Sequence, residues 1–324
     1  MLEKVSREVK VIRVNHLERN IEYSFPPLSI GLGSFDGVHL GHQKVIKEAK
    51  RVADVNGWSS AVMTFDPHPS VIFGGQSNKI KYLTSYDSKV EQIEKLGIDY
   101  LIIVDFTLEF AAMSPQEFVD TYLIQLNVKH VVAGFDYTYG KKAQGTAETL
   151  SLHSRGKFQT TIIEKETFQG EKVSSTAIRS LISNGEMEKV PSLLGRLYTI
   201  EGIVIHGDKR GRTIGFPTAN VEKANDVILP PIGVYAVRLF VNERWYDGVC
   251  NLGTKPTFNE DEKKLSIEVH IFDFQGDIYG EKVKVEWHKR IRNEQKFNGI
   301  NELVAQIDKD KQTALEYFRS LENE

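Results

Sequence analysis

Residues 31–43, GLGSFDGVHLGHQ, set His39 and His42 three positions apart among Gly31, Gly33, Gly37 and Gly41. A dinucleotide turn needs G-x-G-x-x-G, and Gly31, Gly33 and Gly37 miss that spacing by one. GFDYTYGKK at 134–142 misses the P-loop pattern in its spacing and in its last residue. His39 and His42 could share one face as metal ligands, yet no Cys or His partner stands at a recognisable ligand spacing. A strand-to-helix turn accounts for the run better. Gly37 and Gly41 let backbone approach a ligand, and free N–H groups at the following helix start attract anions. The two histidines would add donors aimed at phosphate oxygens, where charge builds up during transfer. The plain alternative is a tight turn with solvated histidines.

Two further runs carry similar chemistry. In VSSTAIRSLI, residues 173–182, the hydroxyls of Ser174, Ser175 and Thr176 fall at a predicted helix start, with Arg179 about one turn on. A helix N-terminus with a guanidinium suits a triphosphate, although an ordinary Ser/Thr cap beside a surface Arg reads the same way. In GIVIHGDKRGRTIGFPTANV, residues 202–221, Gly207, Gly211 and Gly215 surround Lys209, Arg210 and Arg212. Glycines permit close approach and the basic side chains neutralise phosphate. Thr218 and Asn220 then alternate at strand spacing, offering hard oxygen ligands for Mg²⁺ shared with phosphates. The alternative here is a surface hairpin with a bulge.

The elements that must hold these groups fall into two grammars. From about Ser29 to Ser183, short β-branched runs alternate with amphipathic ones. LSIGLG precedes HQKVIKEAKRVADVNG, SSAVMTF precedes SKVEQIEKLG, and DYLIIVDF precedes SPQEFVDTYLIQL, where Ser114, Pro115 and Glu117 have N-cap, N1 and N3 character. This order predicts a doubly wound parallel sheet whose loops 33–42, 64–70 and 134–146 gather at one edge. After about Gly195 come strand-like runs with turns and no long helix between them, which predicts a small antiparallel β-barrel or sandwich. INELVAQIDKDKQTALEYFRSLENE reads as one amphipathic helix packed against it. The boundary is expected within NGEMEKVPSLLGR, residues 184–196.

Bulk properties narrow the function classes. A chain of 324 residues exceeds what one core organises, so two domains are expected. A net charge of −3 gives no sign of a nucleic-acid partner. The single cysteine, Cys250, excludes an internal disulfide framework and suits a reducing cytosol. MLEKVSREVKVIRV lacks a signal-peptide core, and no uncharged run nears the roughly 20 residues that span a bilayer. The expectation is a cytoplasmic protein without membrane or nucleic-acid partners.

Gly-Ser-Phe-Asp-Gly-Val-His-Leu-Gly-His-Gln resembles the HxGH signature of the nucleotidylyltransferase superfamily. Its form SFDGVHLGHQ, followed by TFDPHPS at 64–70, is similar to the FAD synthetase branch, as are GFDYTYGKKAQGT at 134–146 and VSSTAIRSLI. GFPTAN, NLGTKPTF at 251–258 and IEVHIFDF at 267–274 resemble the riboflavin kinase signature. With matches in both halves, the chain is identified as a member of the bifunctional prokaryotic riboflavin kinase/FAD synthetase family. The resemblance implies an FMN adenylyltransferase domain over residues 1–186 and a riboflavin kinase domain over 187–324.

For the first domain it implies nucleotide and phosphate binding by Gly33, Phe35, His39, Gly41, His42, Asp136, Ser174, Ser175, Thr176 and Arg179. His39, His42 and Arg179 would be catalytic, and Asp36 would shape the pocket. Flavin contacts are implied for Asp66, Pro67, His68, Pro69 and Tyr137, and for Arg292 in the second domain. Tyr137 and Tyr139 stand where the family often has Phe, which keeps the stacking surface and adds hydroxyls. For the kinase, Glu268 would be general base, Thr218 and Asn220 would bind Mg²⁺, and Gly207, Lys209, Gly211 and Arg212 would cover the ATP phosphates. Without the resemblance, Glu268 reads equally as an edge-strand carboxylate in solvent and Arg292 as a surface-helix residue. Riboflavin, FMN and FAD are then substrates and products, with ATP and Mg²⁺, in a monomer or weak homo-oligomer. The rivals are a nucleotidylyltransferase for another substrate with an accessory barrel, and a flavin-binding regulator without turnover.

Overall fold

The computed structural model describes residues 8–15, 24–73, 81–207, 211, 214–223, 226–255 and 264–322. The chain forms two compact units, Met1–Lys81 with Tyr86–Ser175, and Tyr82–Ser85 with Thr176–Glu324.

In the first unit six strands make one parallel sheet: β1 (Lys10–Val14), β2 (Leu28–Leu32), β3 (Ser59–Asp66), β4 (Tyr100–Asp105), β5 (Val128–Gly134) and β6 (Gln159–Ile163). Their order is β1-β4-β3-β2-β5-β6, so β3 and β2 lie at the centre and the winding reverses between β2 and β5. Alternate side chains feed two cores, as a sheet covered on both faces requires. Leu28, Ile30, Ala61, Met63 and Ile102 pack with Phe118, Val119 and Leu123 on one face. Val62, Leu101, Ile103 and Val132 pack on the other with Val45, Ile46 and Ala49 of helix α1 (Leu40–Asn56). Helix α1 packs over Gly31, where a Cβ would stand in ordinary contact with Val45 Cγ1 at 3.4 Å.

Two details differ from the sequence expectation. The sheet gains β1, which pairs with β4 some ninety residues away and leaves no local signal of that partnership. The helix expected over SPQEFVDTYLIQL starts with the expected capping box, in which Ser114 and Glu117 exchange hydrogen bonds with each other's backbone. It runs as an α-helix only over Pro115–Val119 and widens to a π-turn over Asp120–Ile124. Helix α2 (Tyr86–Glu94) and the start of α3 (Ser175–Asn184) complete the elements around the site.

The second unit is a closed six-stranded antiparallel barrel of β7 (Tyr198–Ile205), β8 (Ala219–Lys223), β9 (Gly233–Val241), β10 (Arg244–Lys255), β11 (Lys264–Ile271) and β12 (Lys282–Arg292). The order β7-β8-β11-β10-β9-β12 returns to β7, which abolishes free edges. Trp287, fully buried, meets Tyr235 edge-on at 5.2 Å inside it. The terminal helix α4 (Ile300–Glu322) packs on β9, β10 and β12 as expected, burying Ala314 and Phe318.

Candidate active sites

The β2–α1 turn brings the HxGH residues to the carboxyl end of the sheet. Gly37 has φ 89°, and two non-glycine neighbours, Phe35 and Val38, also hold positive φ of 48° and 43°. Such strain gathers where a loop is held for function. His39 is the N-cap of α1, its Nδ1 accepting the His42 backbone N–H at 3.2 Å. An accepting Nδ1 carries no proton, so neutral His39 has its N–H on Nε2. The two imidazoles stack 3.6 Å apart. Burial first, then His39 and Lys89, hold His42 well below the ordinary histidine pKa, so it works as a neutral ring. His42 Nδ1 is buried with no hydrogen-bond partner among the described residues, ready for a ligand. The first turn of α1 holds no acid that would repel an anion, although its His42 N–H is already taken by His39.

Ser175, the last residue of the first unit, bonds directly to this turn. The Ser175 hydroxyl donates to the Asp36 carbonyl at 2.9 Å, and Asp36 itself is 1% exposed. A cavity of about 340 Å³ results. Gly33, Phe35, His39, Gly41, His42, His68, Pro69, Asp136, Tyr137, Ser174 and Ser175 all line it. The Tyr137 hydroxyl is buried without a partner among the described residues, and burial raises its pKa, so it remains a donor. Asp136 pairs with Lys172. Asp66 sits at the end of β3 before the cis bond to Pro67, and Arg13 of β1 holds it at 2.5 Å and Asp105 at 3.1 Å. Thr176 and Arg179 continue α3 where the chain enters the second unit.

Sequence reasoning passed over Lys89 and Arg13. Lys89 Nζ donates to the Ser34 carbonyl at 3.1 Å, with burial lowering its pKa against the opposing pull of Asp36 and Asp66. In SKVEQIEKLG it looks like any solvated helix lysine; only the tertiary fold puts it behind the histidine turn.

In the barrel, Glu268 of β11 stands directly opposite Asn220 of β8 and Asn251 of β10. Its strand is paired on both sides, which removes the edge-strand alternative. Ile267 and Val269 point into the core while Glu268 faces outward, half-buried. Thr218 borders two cavities, one of about 520 Å³ with Gly207 and Asn220, the other of about 310 Å³ with Gly211, Glu268 and Arg292. A Cβ on Gly207 would lie 2.2 Å from Asn220 Nδ2, so backbone passes directly over that amide. Lys209, Arg212 and residues 256–258 lie outside the described residues. Arg292 ends strand β12, so the surface-helix alternative also falls. His270, unnoticed in the sequence, bonds the Pro217 carbonyl through Nδ1 at 2.8 Å and steadies the residue before Thr218. An acceptor carbonyl requires that Nδ1 carry the proton.

Thr218 and Asn220 offer a hydroxyl and a buried amide oxygen beside a cradle that any Cβ would fill, which fits a Mg²⁺–phosphate group.

Comparison with known proteins gives concordant matches for the two halves. The FAD synthetase family model matches residues 24–177 and the riboflavin kinase model residues 194–318. The bifunctional riboflavin kinase/FMN adenylyltransferase of Bacillus subtilis (strain 168) is 52% identical over 97% of this chain and 99% of its own length. The protein of the same description from Escherichia coli (strain K12) is 37% identical over 89% of this chain and 91% of its own. A solved structure described as a macrolide-efflux protein from Streptococcus pneumoniae superposes with a TM-score of 0.85 at 33% identity, covering 94% of this chain and 99% of that one. Among the described residues no helix is long and apolar enough to cross a membrane. With one family model on each half and such relatives along almost its whole length, the chain belongs to the bifunctional riboflavin kinase/FMN adenylyltransferase family.

Proposed function

We propose that this chain phosphorylates riboflavin to FMN and then adenylylates FMN to FAD, with the residues assigned as follows. The observation that carries the assignment is that each of the two matched segments contains its own cavity, one lined by His39, His42, Asp136, Ser174 and Ser175 and the other by Thr218, Glu268 and Arg292. We take residue 187 as the start of the kinase half, a choice consistent with the matches ending at 177 and resuming at 194.

In the kinase half the riboflavin 5′-hydroxyl attacks the γ-phosphate of ATP, ADP leaves, and Glu268 accepts the hydroxyl proton. Thr218 and Asn220 would hold Mg²⁺, which neutralises phosphate charge when bound. Gly207 and Gly211 flank the phosphates, with Lys209 and Arg212 as neutralising cations. Arg292 contacts the flavin.

In the other half the FMN phosphate attacks the α-phosphate of a second ATP and pyrophosphate leaves. The nucleophile is already ionised, so positioning and charge stabilisation suffice. His39 through its Nε2–H, neutral His42, the N-terminus of α1, Ser174, Ser175, Thr176 and Arg179 supply donors to the phosphates. Gly33, Phe35, Gly41 and Asp136 form the nucleotide cradle, and Asp66, Pro67, His68, Pro69 and Tyr137 the flavin side. The single buried thiol agrees with a cytoplasmic enzyme.

Purified chain given riboflavin, ATP and Mg²⁺ should form FMN first and FAD second on chromatography. Unconsumed riboflavin beside adenylyl transfer to another acceptor would favour the rival nucleotidylyltransferase. Tight flavin binding without ATP use would favour the regulator.

A further inference from the structure

The terminal helix carries an acid inside its apolar stripe. The buried residues of α4 are Asp310, Ala314 and Phe318, spaced four apart, and Asp310 is 3% exposed. A carboxylate is tolerated there only when paired and hydrogen-bonded. Arg292 supplies the pair: Nε donates to both carboxylate oxygens, at 2.9 and 3.0 Å, and Nη2 to Oδ2 at 2.8 Å. Gln306, one turn earlier on α4, adds its Nε2 to Oδ1 at 2.8 Å.

The guanidinium is fixed on its remaining sides as well. Its Nη1 donates to the Asn293 carbonyl at 3.0 Å, and its carbon stands 5.8 Å from the centre of the Phe297 ring. Arg292, Asp310, Phe297 and Glu268 all line the same cavity. An arginine held side-on through Nε and Nη2 still has N–H groups on its terminal nitrogens to present forward. Because the acid cancels its charge, it suits neutral acceptors such as ring carbonyls better than a phosphate.

We propose that Asp310 is a positioning residue for riboflavin, locking the Arg292 fork so that it donates to carbonyl oxygens of the flavin ring. The terminal helix is then part of the kinase substrate site as well as a brace for the barrel. This rests on the proposal that the Glu268 cavity takes riboflavin. Without Asp310 the Arg292 side chain can leave that geometry, which weakens substrate capture and spares the proton transfer at Glu268.

The test is steady-state FMN formation by the full chain, with a thermal melt for each variant. Asp310→Asn should raise the riboflavin KM about tenfold, the size of one charge-assisted hydrogen bond, while kcat and the ATP KM stay within about twofold. Arg292→Ala should raise the riboflavin KM similarly, and the double variant should do no worse than Arg292→Ala alone. A purely structural role would lower the melting temperature and kcat and leave the riboflavin KM unchanged; that result overturns the proposal. Should Asp310→Asn fail to fold, Arg292→Lys keeps a cation beside the acid but loses the planar fork. An unchanged riboflavin KM there contradicts the proposal equally. If Arg292→Ala raises the KM and Asp310→Asn does not, only the Asp310 inference fails. If neither Arg292→Ala nor Glu268→Gln affects riboflavin turnover, the assignment of the cavity itself fails.

Discussion

The Ser175 hydroxyl donates to the Asp36 carbonyl at 2.9 Å across 139 residues of sequence, tying Ser175 to the turn that carries His39 and His42. Ser175→Ala should therefore loosen the histidine turn by removing its tie at Asp36. Removing one such bond costs about 1 kcal/mol of stability. The larger effect is geometric: FAD formation from FMN should drop at least about tenfold, because misplacement by an ångström is costly in a positioned reaction. Riboflavin phosphorylation should be unchanged in the same preparation, which thermal melts and product chromatography together can check.

The neutral state of His42 has a pH signature. Its folded pKa is depressed below the ordinary histidine value of about 6.5, so below that pH the unfolded chain binds a proton that the folded unit refuses. This group costs no stability well above pH 6.5 and destabilises the first unit increasingly as the pH falls through the unfolded value. The rate of FAD formation should show no contribution from His42 titration between about pH 6.5 and about pH 8. Lys89→Met removes a cation that helps to depress the ring, so the NMR titration of His42 should move upward. A downward move would contradict the account.

Gly207 predicts a selective lesion. A Cβ there would overlap the Asn220 amide at 2.2 Å, with backbone on one side and a paired strand on the other. Gly207→Ala should cut FMN formation by at least about tenfold by displacing a group proposed to face the phosphates. Adenylylation of supplied FMN should continue at the parental rate.

Cys250 should be chemically silent. It is fully buried, and burial with the nearby Glu268 charge pushes its thiol pKa up, so little thiolate forms. Alkylating reagents should leave both activities intact and label the chain only after denaturation. Rapid labelling of the native protein would contradict this.

The sequence spoke most clearly where the chemistry is local. Ser114, Pro115 and Glu117 form their cap within one turn, and His39 caps the helix that its own motif begins. Alternating Ile267, Glu268 and Val269 already indicated which side chain leaves the core. Features that depend on distant pairing were hidden. The strand Lys10–Val14 needs β4 to exist, and the barrel closes only when Tyr198 meets Trp287 in register. Lys89 and Asp310 were illegible for a different reason. Each lies among other charged helix residues, and only tertiary packing buries one behind the histidine turn and the other against Arg292.

One chain is proposed to run two reactions at two separate sets of residues. Glu268→Gln and His42→Ala, assayed side by side for FMN from riboflavin and for FAD from supplied FMN, test it most directly. Glu268→Gln should lower FMN formation by about 10²–10⁴, the usual loss for a general base, and keep FAD formation from FMN. His42→Ala should do the reverse. Kinase activity of Glu268→Gln within about threefold of the parent, or equal loss of both reactions in either variant, would contradict the account.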